Sequence, residues 1–299
     1  MYDGFESTMM QVGDAELAVL TGGSGAPLLL LHGYPQTRAI WHLVAPRLAD
    51  RFALVIPDLP GYGRSKGPEP DPDNVNYSKR TTARTLAAMM AHLGHRQFSL
   101  AGHDRGGRVA YRMCLDHPGR IVAAAFLDIV PTLDVWEEMD WTAALEGYHW
   151  PLLAQPSPLP ERLVGADPDF YVEHLLSRWA GDRAALDDRA VADYRGQFHR
   201  AGVLAATCAD YRAGATVDMD HDRADRDAGR RIACPCLALW ARGYRSTRTG
   251  GQLEVWRRWA DDVREVSLDC GHFVAEERPQ ECAAALAEFF SAYRGRTTQ

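Results

Sequence analysis

The residues best suited to chemistry are a carboxylate set among glycines. A strand-like run ending at Ala101 leads into Gly102-His103-Asp104-Arg105-Gly106-Gly107, and a helical pattern continues through Leu115. Small residues two before and two after a central residue mark a nucleophile elbow, a sharp strand-to-helix turn that exposes the central side chain at the end of a sheet. A serine there would be acylated. A carboxylate such as Asp104 instead displaces a leaving group from an sp³ carbon and carries the product as an ester on itself. The plainer alternative is that Asp104 only caps the helix. The flanking glycines and the partners described next favour the nucleophile.

Hydrolysis of such an ester needs a base to activate water. His272, in Asp269-Cys270-Gly271-His272-Phe273, is singled out among eleven histidines because it follows the last strand-like run and precedes the final helical pattern. An acid to orient it would ordinarily follow the run Pro235–Trp240, but Ala241–Arg248 contains no carboxylate. Asp128, which closes the run Ala123–Leu127, is therefore assigned to His272. Asp58 also ends a strand-like run and reads as a structural loop residue. In Leu31-His32-Gly33-Tyr34-Pro35, the Tyr34 backbone N–H is expected to join that of Arg105 in an oxyanion hole that stabilises the Asp104 carboxyl when water attacks the ester. His32 reads as structural.

These residues need a scaffold, and the chain supplies the pattern of one. It has 299 residues, 46% of them hydrophobic, a formal charge of -7 and six cysteines. This length suits one large domain or a core with an insertion, at roughly 100–200 residues per domain. Pro27–Leu31, Phe52–Pro57, Gln97–Ala101, Ile121–Leu127, Pro235–Trp240 and Val263–Leu268 read as strands, several of them apolar throughout, as in a parallel sheet covered on both faces. Tyr77–Leu93 and Gln280–Tyr293 carry apolar residues at helical spacing. The fold class expected is α/β, a mostly parallel sheet flanked by helices. The alternation stops after Asp128 and resumes near Ile232. The intervening stretch is rich in tryptophan and tyrosine, which predicts a helical cap over 130–230 inserted into a core made of 1–129 and 231–299. The charged stretch Asp218–Arg231 reads as a solvated return linker.

Several function classes are disfavoured by composition. The 33 basic residues are arginines apart from Lys66 and Lys79, they are scattered, and the net charge is negative, which argues against nucleic acid. No CxxC pair is present, so the cysteines are expected to be reduced and not to bind metal; Cys234 and Cys236 are expected on one face of a buried strand. The start of the chain lacks a basic segment followed by an apolar one, and no apolar stretch of about 18 residues occurs, so no membrane span and a cytoplasmic location are expected.

The chain resembles the α/β-hydrolase superfamily and, within it, the fluoroacetate (haloacetate) dehalogenases over nearly its full length. The resemblance rests on HGYPQT at His32–Thr37, DLPGYGRS at Asp58–Ser65, GHDRGGRVAYR at Gly102–Arg112, YHW at Tyr148–Trp150, DPDFYV at Asp167–Val172, DYRAGA at Asp210–Ala215 and SLDCGHF at Ser267–Phe273. It implies a halogenated carboxylate as the small-molecule substrate, no cofactor or metal, a homodimer, and a halide pocket made by His149, Trp150 and Tyr211. Read without the resemblance, each of those three is a packing aromatic. Arg105 and Arg108 lie three apart at the start of the elbow helix, on one face beside Asp104, where a paired grip on a carboxylate is expected. Related epoxide and haloalkane enzymes typically carry Trp after the nucleophile; Arg105 here implies a charged substrate. The rival reading is an epoxide hydrolase using the same Asp104, His272 and Asp128, with Tyr148 and Tyr211 as proton donors. A non-catalytic small-ligand receptor on the same fold is the third. Arg64 and Arg242 depart from the family pattern.

Overall fold

Leu28 to Leu31 and Ala123 to Leu127 are fully buried, as expected of strands covered on both faces. The computed structural model describes residues 1–243 and 251–295, so the loop expected to lack an acid lies beyond Gly243 partly outside the described residues. The described residues form one sheet of β1 (Glu6–Val12), β2 (Ala15–Gly22), β3 (Ala26–Leu31), β4 (Phe52–Pro57), β5 (Phe98–His103), β6 (Ile121–Leu127), β7 (Cys236–Ala241) and β8 (Val263–Leu268). The spatial order is β1-β2-β4-β3-β5-β6-β7-β8. From β4 through β8 every neighbouring pair is parallel, and β1 and β2 add an antiparallel edge. Sequence patterning missed that hairpin because β1 is largely exposed and carries no apolar run.

Apolar clusters pack on both faces of the sheet. The expected helices span Lys79–His92, Asp104–Asp116 and Pro279–Ser291. Cys234 precedes β7 instead of sharing a strand with Cys236, and all six cysteines are free. Helices from Thr132–Glu137 to Val217–Asp227 fill the interval between β6 and β7. No helix among the described residues is long and apolar enough to cross a membrane.

The stretch expected to be a solvated linker is largely the helix Val217–Asp227. Asp218, Asp222 and Asp225 lie four and three residues apart, hence on one face, and all three are buried. That face meets cations of the core helices. The Lys79 backbone N–H donates to Asp218 Oδ1 at 2.8 Å and its Nζ to Oδ2 at 3.2 Å. Arg112 Nη2 donates to Asp222 Oδ1 at 2.5 Å, Tyr111 Oη to Asp222 Oδ2 at 2.7 Å, and Arg112 Nη1 to Asp225. The charges are solvated by the fold itself rather than by water. Asp222→Ala is expected to lower the unfolding free energy by about 3 kcal/mol, because it leaves a buried cation short of a partner. The exposed Asp220→Ala is expected to change it by less than about 0.5 kcal/mol. Urea denaturation of both variants checks this.

Candidate active site

The ends of β5 and β6 set the site. His103 pairs with Leu127 across these strands, so Asp104 and Asp128 leave the sheet side by side. Both are left-handed, with φ of 45° and 52°. Non-glycine residues adopt this conformation only where the surroundings impose it. At the elbow the imposition is steric: a Cβ on Gly106 would stand 2.4 Å from the His32 carbonyl oxygen, and one on Gly102 would stand 2.3 Å from the Gly106 carbonyl oxygen. Only hydrogen atoms fit.

The His272 Nδ1–H donates to Asp128 Oδ2 at 2.6 Å, and Asp128 Oδ1 accepts from the Ala241 backbone N–H at 3.0 Å. With Nδ1 as donor, His272 Nε2 is the basic nitrogen of the ring. It faces Asp104 Oδ2 at 3.9 Å, beyond hydrogen-bond length. The other Asp104 oxygen, Oδ1, accepts the Tyr34 N–H at 2.8 Å. The two oxygens are thus distinguished: one is held by a backbone donor and one faces the imidazole. Burial pushes the Asp104 carboxyl up, but His272, His103, Arg108 and Arg105 outweigh it and hold it below the ordinary carboxylate value. Asp128 moves the other way, raised by burial against the pull of His272. His103 is buried and lowered to about 3, and donates from Nε2 to the His272 carbonyl at 2.8 Å. It supports the histidine turn, a contact between residues 169 apart in the chain that local spacing did not announce.

A cavity of about 620 Å³ opens above this group, walled by Asp104, Arg108, His149, Trp150, Trp179 and His272 among others. Arg105 and Tyr211 stand behind the wall, with the Arg105 guanidinium carbon 4.1 Å from the Tyr211 ring centre. The rings of His149, Trp150 and Tyr211 lie 5.8–6.4 Å apart, centre to centre. Burial lowers His149 to about 3, so its ring is neutral.

The two arginines are held differently. Arg105 was expected to offer a whole fork, but its Nε donates to Asp210 Oδ2 at 2.7 Å and its Nη2 to the Asp210 carbonyl at 2.8 Å. Only Nη1 lacks a protein partner. Asp210 is in turn held by Tyr62 Oη at 2.7 Å and by Lys79 Nζ. Arg108 donates from Nη1 to the Val130 carbonyl at 2.8 Å, packs 4.5 Å from the Trp150 ring centre, and leaves Nε without a protein partner. Arg108 is therefore the arginine that meets the cavity, and Arg105 is fully buried behind its wall.

A family model for the alpha/beta hydrolase fold matches residues 26–279. A fluoroacetate dehalogenase from Burkholderia sp is 40% identical over 97% of this chain and 95% of its own length. A solved structure from Nostoc sp PCC 7120, assigned to the alpha/beta hydrolases, superposes with a TM-score of 0.95 at 44% identity, covering 97% of this chain and 99% of that one. A mutant of a Pseudomonas aeruginosa protein with a proposed epoxide hydrolase activity, solved with bound MFA, superposes with a TM-score of 0.92 at 44% identity, covering 98% and 97%. The chain belongs to the α/β-hydrolases, in the fluoroacetate dehalogenase family.

Within this α/β-hydrolase, the loop residues read as structural are so placed. His32 Nε2 accepts the Leu59 N–H at 2.9 Å, and Asp58 accepts the Arg38 and Arg64 N–H groups, each at 2.9 Å. The Arg64 side chain is exposed, and Arg242 donates to Ser267 Oγ at 3.0 Å. Neither is part of the cavity wall. In the sequence Trp179 is one of many aromatics of the insertion, and Asp210 is one residue of DYRAGA. A buried acid needs a cation, but its partners Lys79 and Arg105 are more than 100 residues away, at 131 and 105. Gly106→Ala is expected to destabilise the protein by about 3 kcal/mol, the upper range for overpacking. Gly119→Ala, where a Cβ meets nothing within 4 Å, is the neutral control in the same denaturation experiment.

Proposed function

We propose that the protein hydrolyses haloacetates, fluoroacetate among them, to glycolate and halide through an ester on Asp104. The observation that carries the proposal is a carboxylate nucleophile and a cation, Arg108, walling the same cavity, with a base facing the nucleophile from 3.9 Å. Membership of the dehalogenase family supports a hydrolase acting on carbon–halide bonds, and the 40% identity to the Burkholderia protein supports fluoroacetate as a substrate. The helical insertion serves as the cap over 130–230. Arg108 in the cavity wall counts against epoxide opening, whose substrate carries no charge for a cation to hold.

In the first step Arg108, with Arg105 Nη1, holds the substrate carboxylate so that the methylene faces Asp104 Oδ2. That oxygen displaces the halide in line, a geometry whose pre-organisation lowers the barrier relative to free reactants. Fluoride is small and strongly hydrated, so its departure needs donors; the neutral His149 ring and the Trp150 indole N–H supply them, backed by Tyr211. Because Tyr34 N–H holds Oδ1, that oxygen becomes the ester carbonyl and is already seated in the oxyanion hole, with the Arg105 N–H as the second donor.

In the second step His272 Nε2 takes a proton from water, a general-base contribution of about 10²–10⁴-fold. The hydroxide attacks the Asp104 ester carbonyl and glycolate leaves, carrying the Oδ2 atom. Asp128 keeps the imidazole in the right tautomer and balances its positive charge.

A halide electrode with fluoroacetate and chloroacetate tests the reading. Halide and glycolate are expected in equal amounts from the wild type and neither from Asp104→Asn; halide from that variant would contradict it. Arg108→Leu is expected to cut kcat/KM for chloroacetate by at least about 10-fold, the worth of a lost charge-assisted hydrogen bond, while sparing chloroacetamide. The pH dependence follows from the direction of the shifts. Asp104 sits below its ordinary value of about 3.9 and His149 is near 3, so the first-turnover rate is expected to stay flat from about pH 9 to about pH 5 and to fall only in stronger acid.

A further inference from the structure

Glu277 lies in the short helix Val274–Glu277, five residues after the histidine, and is buried. Its carboxylate accepts four backbone N–H groups. Oε2 takes those of Gly181 at 2.9 Å, Asp182 at 3.1 Å and Gly271 at 3.0 Å, and Oε1 takes that of Phe273 at 3.1 Å. Gly271 and Phe273 are the residues on either side of His272. Gly181 and Asp182 belong to the insertion, just after Trp179. The same two segments are joined once more, by the His272 N–H donating to the Trp179 carbonyl at 2.9 Å.

The approach is as close as backbone allows: a Cβ on Gly271 would lie 2.1 Å from the Gly181 nitrogen. Four N–H groups converging on one buried point must be satisfied by something, since each would otherwise be left without a partner at a cost of about 1–3 kcal/mol. An ionised carboxylate has about four lone-pair sites and no donor, so it fits this demand where an amide does not. Trp179, carried by the insertion segment so held, walls the cavity with its ring 4.5 Å from that of His149 and 5.7 Å from that of His272.

We propose that Glu277 is a positioning residue for ester hydrolysis: it fixes the turn that carries His272 and fastens the Trp179 segment of the insertion to it. The proposal rests on the two-step reading above and separates the steps. Displacement by Asp104 needs the arginines and the halide donors; Glu277 touches none of them and reaches them only indirectly, through Trp179 beside His149, whereas it holds the residues on both sides of His272 directly. Hydrolysis needs His272 Nε2 at a set height above the ester carbonyl, and a misplacement of about 1 Å costs about 100-fold. Glu277→Gln keeps the volume but turns an N–H donor toward an N–H donor, so the turn must shift.

Rapid-quench kinetics with chloroacetate test this on the full chain. For Glu277→Gln, first-turnover chloride release is expected at the wild-type rate, steady-state turnover is expected to fall about 100-fold, and the carboxymethyl ester is expected to accumulate on the Asp104 peptide. Gly181→Ala is the second variant, and it serves if the first is insoluble. Its Cβ would lie 2.7 Å from the Gly271 nitrogen and 2.9 Å from Glu277 Oε2, and the same pattern is expected. Equal loss in both phases, or steady-state turnover unchanged, would overturn the proposal. A wild-type protein that releases no halide would overturn the haloacetate reading itself, and this proposal with it.

Discussion

A carboxylate held in a left-handed backbone conformation is the constraint on which the rest depends. Asp104 at φ 45° costs about 1–3 kcal/mol in isolation, and it persists only because the glycines around it let β3 and the elbow helix close to within a hydrogen atom's width. That conformation presents one oxygen to the Tyr34 N–H and the other to His272. The two oxygens thus have different surroundings, a backbone donor for Oδ1 and an imidazole for Oδ2. Asp128 repeats the device one strand away, at φ 52°, and the parallel pairing of β5 with β6 sets the spacing between them.

Above this rigid floor, the helical insertion is anchored largely by buried charge. Lys79 and Arg105 meet Asp210 and Asp218, and Arg112 meets Asp222 and Asp225. Buried ion pairs of this kind add little to stability relative to apolar packing, because desolvation offsets most of the attraction, but they tolerate few alternative placements. The consequence is an insertion seated in one orientation. That seating serves the site directly. Arg105 is gripped by Asp210 along one edge, and Lys79 offsets the Asp210 charge, so the arginine is not wholly neutralised by the acid that holds it. Glu277 ties down the opposite side, where the insertion meets the histidine turn.

Legibility in the sequence followed the range of the interactions. The elbow is local, with glycines two residues either side of Asp104, and could be read directly; His272 could be read from its place after β8. Asp128 was reached by elimination, and β5 and β6 place it where the assignment needs it. The strands of the parallel sheet stood out because burial on both faces makes them apolar throughout, whereas β1 is exposed and left no such trace. Asp210, Glu277 and the acidic face of Val217–Asp227 were not read. Their partners lie from 4 to 148 residues away, and a run of charge looks the same whether water or an arginine solvates it. The spacing of Asp218, Asp222 and Asp225 did mark one face of a helix, but nothing local said which way that face points. The Arg105–Arg108 pair was legible as a pair. The unequal exposure of its two members was not, because it is Asp210 that sets it.

In the proposed reaction the Asp104 carboxyl becomes covalently bound to the substrate and is restored by water. The most direct measurement is a single turnover of chloroacetate in ¹⁸O-water with enzyme in excess, followed by mass analysis of the Asp104 peptide and of the glycolate. If Oδ2 attacks carbon and water attacks the ester, the label enters the Asp104 carboxyl and the glycolate is unlabelled. Label in the glycolate and none in the peptide would mean that water attacks the substrate directly, and the covalent role of Asp104 would be wrong.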